Sequence, residues 1–214
     1  MDIISVNVGL PREVSWNGRT VSTGIFKEPV TGRINVRSLN LDGDRQADLT
    51  VHGGIDKAVY AYSVEAYDYW RDQLPEMDLP WGIFGENLTV SGLSEEMVNV
   101  GDRFRVGTVE LIATQPRMPC YKLGIRFGRP DIIKQFLDSG LTGVYFAVTQ
   151  EGDIGAGDSI ERVSCDTNNV TIADITSLYA RETSDPDLLQ RAIHHPVLPE
   201  IWQDYFQQRL DKQS

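Results

Sequence analysis

From Met1 to about Cys165 the apolar residues of this chain fall in short runs broken by Gly, Pro, Asn and Asp. That punctuation is the strongest constraint on the fold, because short bounded runs suit strands and leave little room for long amphipathic helices. Strands are expected over residues 3–8, 33–36, 87–90, 103–106, 109–115 and 145–149. Two segments of helical period interrupt them: Val64–Gln73, preceded by the N-cap candidate Ser63, and residues 131–139, which open on Pro130 and Asp131. From Thr171 the signals change. Thr171 with Asp174 resembles a capping box, Ser184-Asp185-Pro186 starts a second helix and Pro199-Glu200 a third. The expected class is α+β, mostly β: a β-rich domain over residues 1–165 and a small three-helix appendage over 166–214, joined at the polar stretch 164–169.

Composition removes several function classes. With 41% hydrophobic and 24% charged residues the chain is that of a globular protein, and 214 residues bury roughly 70% of their unfolded surface without staples. No run approaches the ~20 apolar residues that cross a bilayer, and the N-terminus lacks the layout of a secretion signal, so a cytoplasmic protein without a membrane partner is expected. A formal net charge of -11 argues against a nucleic-acid partner, whose phosphates are bound by Lys and Arg. A small anion is still within reach of such a protein if a few of its 20 Lys and Arg gather in one place. Two cysteines, Cys120 and Cys165, are too few for a four-thiolate iron–sulfur cluster or a Cys-rich zinc site.

Four segments carry candidate chemistry. In Gln115-Pro116-Arg117-Met118-Pro119-Cys120-Tyr121-Lys122, two prolines stiffen the chain as it leaves a strand, so Cys120 would be presented from a rigid loop. Arg117 and Lys122 beside it would favour a thiolate, the soft ligand of a thiophilic metal; the plainer alternative is a small buried side chain. In Val51-His52-Gly53-Gly54-Ile55-Asp56-Lys57, the paired glycines either expose N–H groups to a polar ligand or make a tight turn. In Trp81-Gly82-Ile83-Phe84-Gly85-Glu86-Asn87, Glu86 and Asn87 either face a polar heterocycle or serve their own turn, with Phe84 in the core. Lys27 either snorkels to water or meets a phosphate. His194-His195 is taken as a surface or capping pair, Tyr60, Tyr62, Tyr67, Tyr69 and Trp70 as core and helix face, and Gly155-Ala156-Gly157-Asp158 as a turn.

Taken in order, TGIFKEPVTGRINV, LDGDRQADLTVHGGIDKAVYAYSVEAYDYW, WGIFGENLTV, VGDRFRVG and TQPRMPCYKLGIRF resemble the MOSC proteins, named for the molybdenum-cofactor-sulfurase C-terminal domain, and most of all their YiiM-like branch with its C-terminal three-helix region. The resemblance implies a β-barrel-like domain holding a molybdenum cofactor (molybdopterin), with Cys120 as the metal ligand. The pterin brings two sulfurs of its own, so one protein thiolate suffices. By the same matching Arg117 would neutralise the cofactor, Lys27 would meet its phosphate, Glu86 and Asn87 would line its pocket with Gly53, Gly54, Phe84 and Gln115, and His52 would sit on the substrate side. Cys120, His52 and Glu86 are then the catalytic candidates, with His52 or Glu86 relaying a proton.

The activity implied is reduction of N-hydroxylated small molecules such as hydroxylaminopurines, fed by a separate flavoprotein or iron–sulfur donor, with a homodimer as a further expectation. Oxygen would leave the N–O bond as water, with partner electrons and protons. Nothing in the resemblance calls for pyridoxal phosphate. The alternative is a carrier of the cofactor or of sulfur without its own turnover, and a cysteine hydrolase built on Cys120 and His52 ranks last.

Overall fold

The computed structural model of the protein describes residues 1–47, 53–180 and 185–212. Its centre is an eight-stranded sheet. Along the chain come β1 (Asp2–Val8), β2 (Arg12–Trp16), β3 (Arg19–Thr23), β4 (Glu28–Pro29), β5 (Ile34–Val36), β6 (Val59–Ser63), α1 (Val64–Gln73), β7 (Leu88–Ser91), β8 (Arg103–Val106) and β9 (Val109–Pro116). Then follow α2 (Tyr121–Phe127), α3 (Ile132–Ser139), β10 (Val144–Gln150), β11 (Gly152–Ile154), β12 (Ile160–Ser164), α4 (Ile172–Ala180), α5 (Pro186–Ile193) and α6 (Glu200–Asp211). The main sheet runs β12-β8-β9-β10-β6-β7-β1-β4 and is antiparallel except between β6 and β7. Backbone bonds from Ile3 N–H to Asp158 C=O (2.9 Å) and from Ile160 N–H to Met1 C=O (2.7 Å) tie β1 to the approach of β12, which curls the sheet toward closure.

The expected strands are present with ends moved by a residue or two, and others escape the apolar pattern for physical reasons. β2 and β3 are mostly exposed on both faces, so no apolar alternation marks them. What marks them is Asn17-Gly18, both at positive φ (50° and 74°), the two-residue turn whose twist matches that of a hairpin. β6 is buried along its whole length, as a central strand is, and its last residue Ser63 caps α1 by accepting from Ala66 N–H at 2.9 Å. α2 stands where the sequence suggests a loop, because prolines precede it and Gly124 sits inside it. A Cβ at Gly124 would lie 3.3 Å from the Arg129 carbonyl oxygen, so close packing against the next loop explains the glycine.

Two apolar clusters fill the interior. One, rich in aromatics, joins β6 to α1, α2 and α3 through Tyr62, Tyr67, Trp70, Phe84, Leu123 and Phe136. The other is continuous from the sheet (Val6, Val90, Phe104, Leu111, Val144) into the C-terminal helices (Ile172, Ile175, Leu178, Leu189, Phe206). The three helices therefore bury their apolar faces on the barrel. The surface-or-capping expectation for His194-His195 divides: His194 is the C-cap of α5, whereas His195 is no surface residue, being 1% exposed with its ring 3.3 Å from Asp166. No helix among the described residues is long and apolar enough to cross a membrane.

Candidate functional site

The end of β9, the turn before β6 and the start of α2 converge on Cys120. The loop leaving Pro116 delivers Arg117 into the interior, where its guanidinium carbon lies 5.2 Å from the centre of the Tyr60 ring and 5.4 Å from that of Phe136. Burial works against that charge, yet Tyr60, Tyr145 and Cys120 around it outweigh burial and hold its pKa above the ordinary value. One nitrogen, Nη1, is buried with no hydrogen-bond partner among the described residues. Three residues on, Cys120 occupies the N-cap position of α2 in an extended conformation, half-buried. The rigid loop expected there thus ends in a helix.

Lys27 does not snorkel. Its Nζ meets Asp44 Oδ2 at 2.6 Å, and the Asp44 side chain, fully shielded, also accepts from Gly9 N–H (2.9 Å) and Asn87 Nδ2 (3.0 Å). Asn87 in turn accepts from Tyr60 N–H at 3.1 Å, so a strand end, a loop and a buried ion pair brace one another. Burial lowers the Lys27 pKa, with Asp44 opposing the shift.

These groups open on a narrow cavity of about 90 Å³ lined by Lys27, Arg45, Lys57, Arg117 and Lys122 together with Tyr60, Asn87, Cys120 and Tyr145. Five cations of an acidic protein surround one cysteine, and no carboxylate lines the space among the described residues. A second, apolar chamber of about 340 Å³ adjoins it. Lys57, Met118, Cys120 and Tyr145 border both, and the far wall is Tyr179 of α4 with Ile201, Trp202 and Tyr205 of α6.

The other sequence candidates fall as follows. Gln115 lines the apolar chamber. Glu86 is fully buried and lines neither cavity: its Oε1 accepts from Tyr67 Oη (2.5 Å), Gly82 N–H (2.7 Å) and Thr89 Oγ1 (3.0 Å), and burial raises its pKa against those bonds. Phe84 packs in the aromatic cluster, 4.5 Å from the Tyr62 ring centre. Gly53 and Gly54 lead into a one-turn 3-10 helix, Ile55–Lys57, which sets Lys57 at both cavities. His52 lies outside the described residues.

Sequence reasoning passes over Arg45, Lys57 and the chamber wall. Lys57 has one usable signal, a lysine three residues after a Gly-Gly pair. Tyr179 and Tyr205 have another, aromatic rings left 37% and 40% exposed on otherwise packed helices, though exposure is visible only once the helices are placed.

The donor set is chemically definite. Cations and an unpartnered guanidinium nitrogen ask for an anionic, acceptor-rich group, and a cysteine sulfur asks for a soft metal. Among the described residues no three His, Cys, Asp or Glu side chains gather as a metal site. In charge and in its one sulfur the lining suits an anionic group that carries further metal ligands of its own.

The MOSC domain family matches residues 48–161, and the YiiM-like 3-alpha helix domain matches residues 170–213. The protein YflK of Bacillus subtilis is 34% identical over 210 residues, covering 98% of this chain and 95% of its own. The crystal structure of YiiM from Geobacillus stearothermophilus is similar with a TM-score of 0.81 at 33% identity, covering 98% of each chain. A protein of Gibberella moniliformis named a reductase is 33% identical over 161 residues, 74% of this chain but 28% of that larger one.

Proposed function

The chain belongs to the MOSC family and carries the YiiM-like three-helix domain, and from that footing we propose that it is a molybdenum-cofactor-dependent reductase of N-hydroxylated compounds. One arrangement carries the reading: a cavity ringed by five cations and no described carboxylate meets an apolar chamber at a single cysteine. When bound, such a cofactor supplies two-electron redox chemistry suited to removing oxygen from an N–O bond.

The chain's own residues do the rest. Cys120 offers the thiolate ligand. Arg117, with its unpartnered Nη1, and Lys27, held by Asp44, neutralise the anionic parts of the cofactor, while Arg45 and Lys122 add to the field. The apolar chamber takes the organic part of the substrate and keeps bulk water off it. Lys57 borders both spaces, and burial lowers its pKa, which eases transfer of a proton from its Nζ toward the departing oxygen. Electrons come from a separate flavoprotein or iron–sulfur protein, since two cysteines build no cluster. The presence of a chamber beside Cys120 favours turnover over carriage.

The test is molybdenum and pterin content of protein from a host that makes the cofactor, wild type against Cys120→Ala, followed by reduction of an N-hydroxylated purine with a flavoprotein donor. Wild type should hold both and turn over; the variant should lose metal and activity. Wild type without molybdenum, where a known molybdenum enzyme from the same host is loaded, overturns the proposal.

A further inference from the structure

One polar side chain in the apolar chamber is held at one end only. Gln115, near the end of β9 and 3% exposed, accepts at Oε1 from Trp202 Nε1 at 2.8 Å, and its Nε2 has no hydrogen-bond partner among the described residues. An indole N–H is a donor and nothing else, so the amide atom it meets is the oxygen and the amide's orientation is decided. The free N–H donor thus belongs to a side chain that lines the chamber, and the atom itself is shielded from water. An unmet buried donor is costly, which makes an acceptor brought by a ligand selective as well as attractive.

The shape of the space narrows the ligand further. Trp202, Tyr179 and Tyr205 stand as a cluster of rings, with centroids 5.5 Å (Tyr179 to Trp202) and 5.4 Å (Tyr179 to Tyr205) apart. A volume of about 340 Å³ is near the bottom of the roughly 300–1,000 Å³ range of small-molecule sites. Flat rings suit such walls.

We propose that Gln115, oriented by Trp202 across the junction between sheet and C-terminal helices, is a specificity-determining residue that admits flat, neutral rings presenting a hydrogen-bond acceptor and disfavours those presenting a donor. The inference rests on the reductase reading only in calling the ligand a substrate. The three-helix region thereby takes part in recognition, because α6 supplies both a wall of the chamber and the bond that sets what the chamber selects.

Three bicyclic probes of similar shape test it by calorimetry on the purified full chain at pH 8: quinoline, which presents an acceptor, naphthalene, which presents neither, and indole, which presents a donor. Wild type should bind quinoline at least about tenfold more tightly than naphthalene, with indole weakest. Gln115→Leu should reduce the quinoline advantage to about twofold or less while naphthalene affinity is kept. Gln115→Glu keeps an acceptor for Trp202 and turns the free end into an acceptor, so indole should overtake quinoline. Trp202→Phe should weaken the preference without losing naphthalene, because the amide is free to turn.

Circular dichroism and thermal melts establish that each variant is folded, and the wild-type ranking stands without any variant. Equal binding of quinoline and naphthalene, binding of none of the three, or a quinoline preference that survives in folded Gln115→Glu overturns the proposal. Molybdenum and pterin are measured on the same batches. A quinoline preference in protein that never holds molybdenum sinks the reductase reading and keeps the recognition site, and the converse result sinks this inference alone.

Discussion

Replacing Asp44 with alanine probes the buried frame under the cationic cavity. The wild-type carboxylate is fully shielded and accepts from three donors, Lys27 Nζ, Gly9 N–H and Asn87 Nδ2, at 2.6, 2.9 and 3.0 Å. Asp44→Ala leaves the Lys27 charge without its partner, Gly9 N–H unmet and Asn87 Nδ2 with only its 3.4 Å bond to the Asn7 carbonyl. Breaking a buried ion pair from one side costs about 3–5 kcal/mol, and each orphaned neutral donor roughly 1–3 kcal/mol. The terms do not add, because Lys27, whose pKa burial already lowers, can shed its proton and cap the loss. A net destabilisation of about 4 kcal/mol at pH 7 is expected. With a urea slope on the order of 3 kcal/mol/M this moves the unfolding midpoint down by about 1.3 M, and melting should fall by roughly 10 °C.

In the variant the folded pKa of Lys27 falls further below that of the unfolded chain, so between the two values the unfolded state binds more protons and stability climbs with pH. The deficit against wild type should therefore shrink as pH rises toward the ordinary lysine range. Adding Lys27→Met to Asp44→Ala removes the unpaired charge and should restore about 2 kcal/mol at pH 7. An Asp44→Ala protein within about 1 kcal/mol of wild type, or a double variant less stable than the single one, refutes the expected cost of the broken pair.

Two further outcomes are expected. Glu86, its pKa raised by burial, holds a proton more tightly folded than unfolded, so its contribution to stability is present at low pH and declines as pH rises through its folded pKa; Glu86→Gln should flatten that part of a pH–stability curve, and identical curves above pH 4.5 count against it. Phe206→Ala removes a fully buried ring stacked 5.7 Å from Trp202 and should cost about 3–5 kcal/mol in urea unfolding while weakening quinoline binding, whereas a stable variant with intact binding shows that α6 is seated by other contacts.

What is legible in the sequence is local chemistry. Cys120 between Arg117 and Lys122 and the helix signals after Thr171 are each contained in a few residues. What is not legible is convergence. Asp44 reads as one aspartate among many until the fold carries it to Lys27, and Gln115, which the resemblance puts in the cofactor pocket, gives no sign of its bond to Trp202 until α6 is placed. The 12–23 hairpin escapes differently: the two-residue turn is in plain sight at Asn17-Gly18, but strands polar on both faces give the apolar pattern nothing to register. His195 looks like a surface residue in sequence because burial of a histidine depends on Asp166, which precedes it by a whole helix pair.

The continuity of the larger core into α4, α5 and α6 has a consequence for how the protein is made. On the ribosome every strand emerges before these helices, so the sheet face that receives Ile175, Leu178 and Phe206 stands uncovered while they are synthesised. At ~5–20 residues per second that interval is on the order of seconds, long compared with the collapse of a small chain, and an uncovered apolar face is when nascent proteins aggregate or need chaperones. The wall carrying Trp202 is the last part of the chamber to arrive, so a chain stalled after β12 has Cys120 and all five cavity cations but no far wall beside them. Enclosure of the chamber is completed in one late step, and its appearance during synthesis is a clock for the docking of α6.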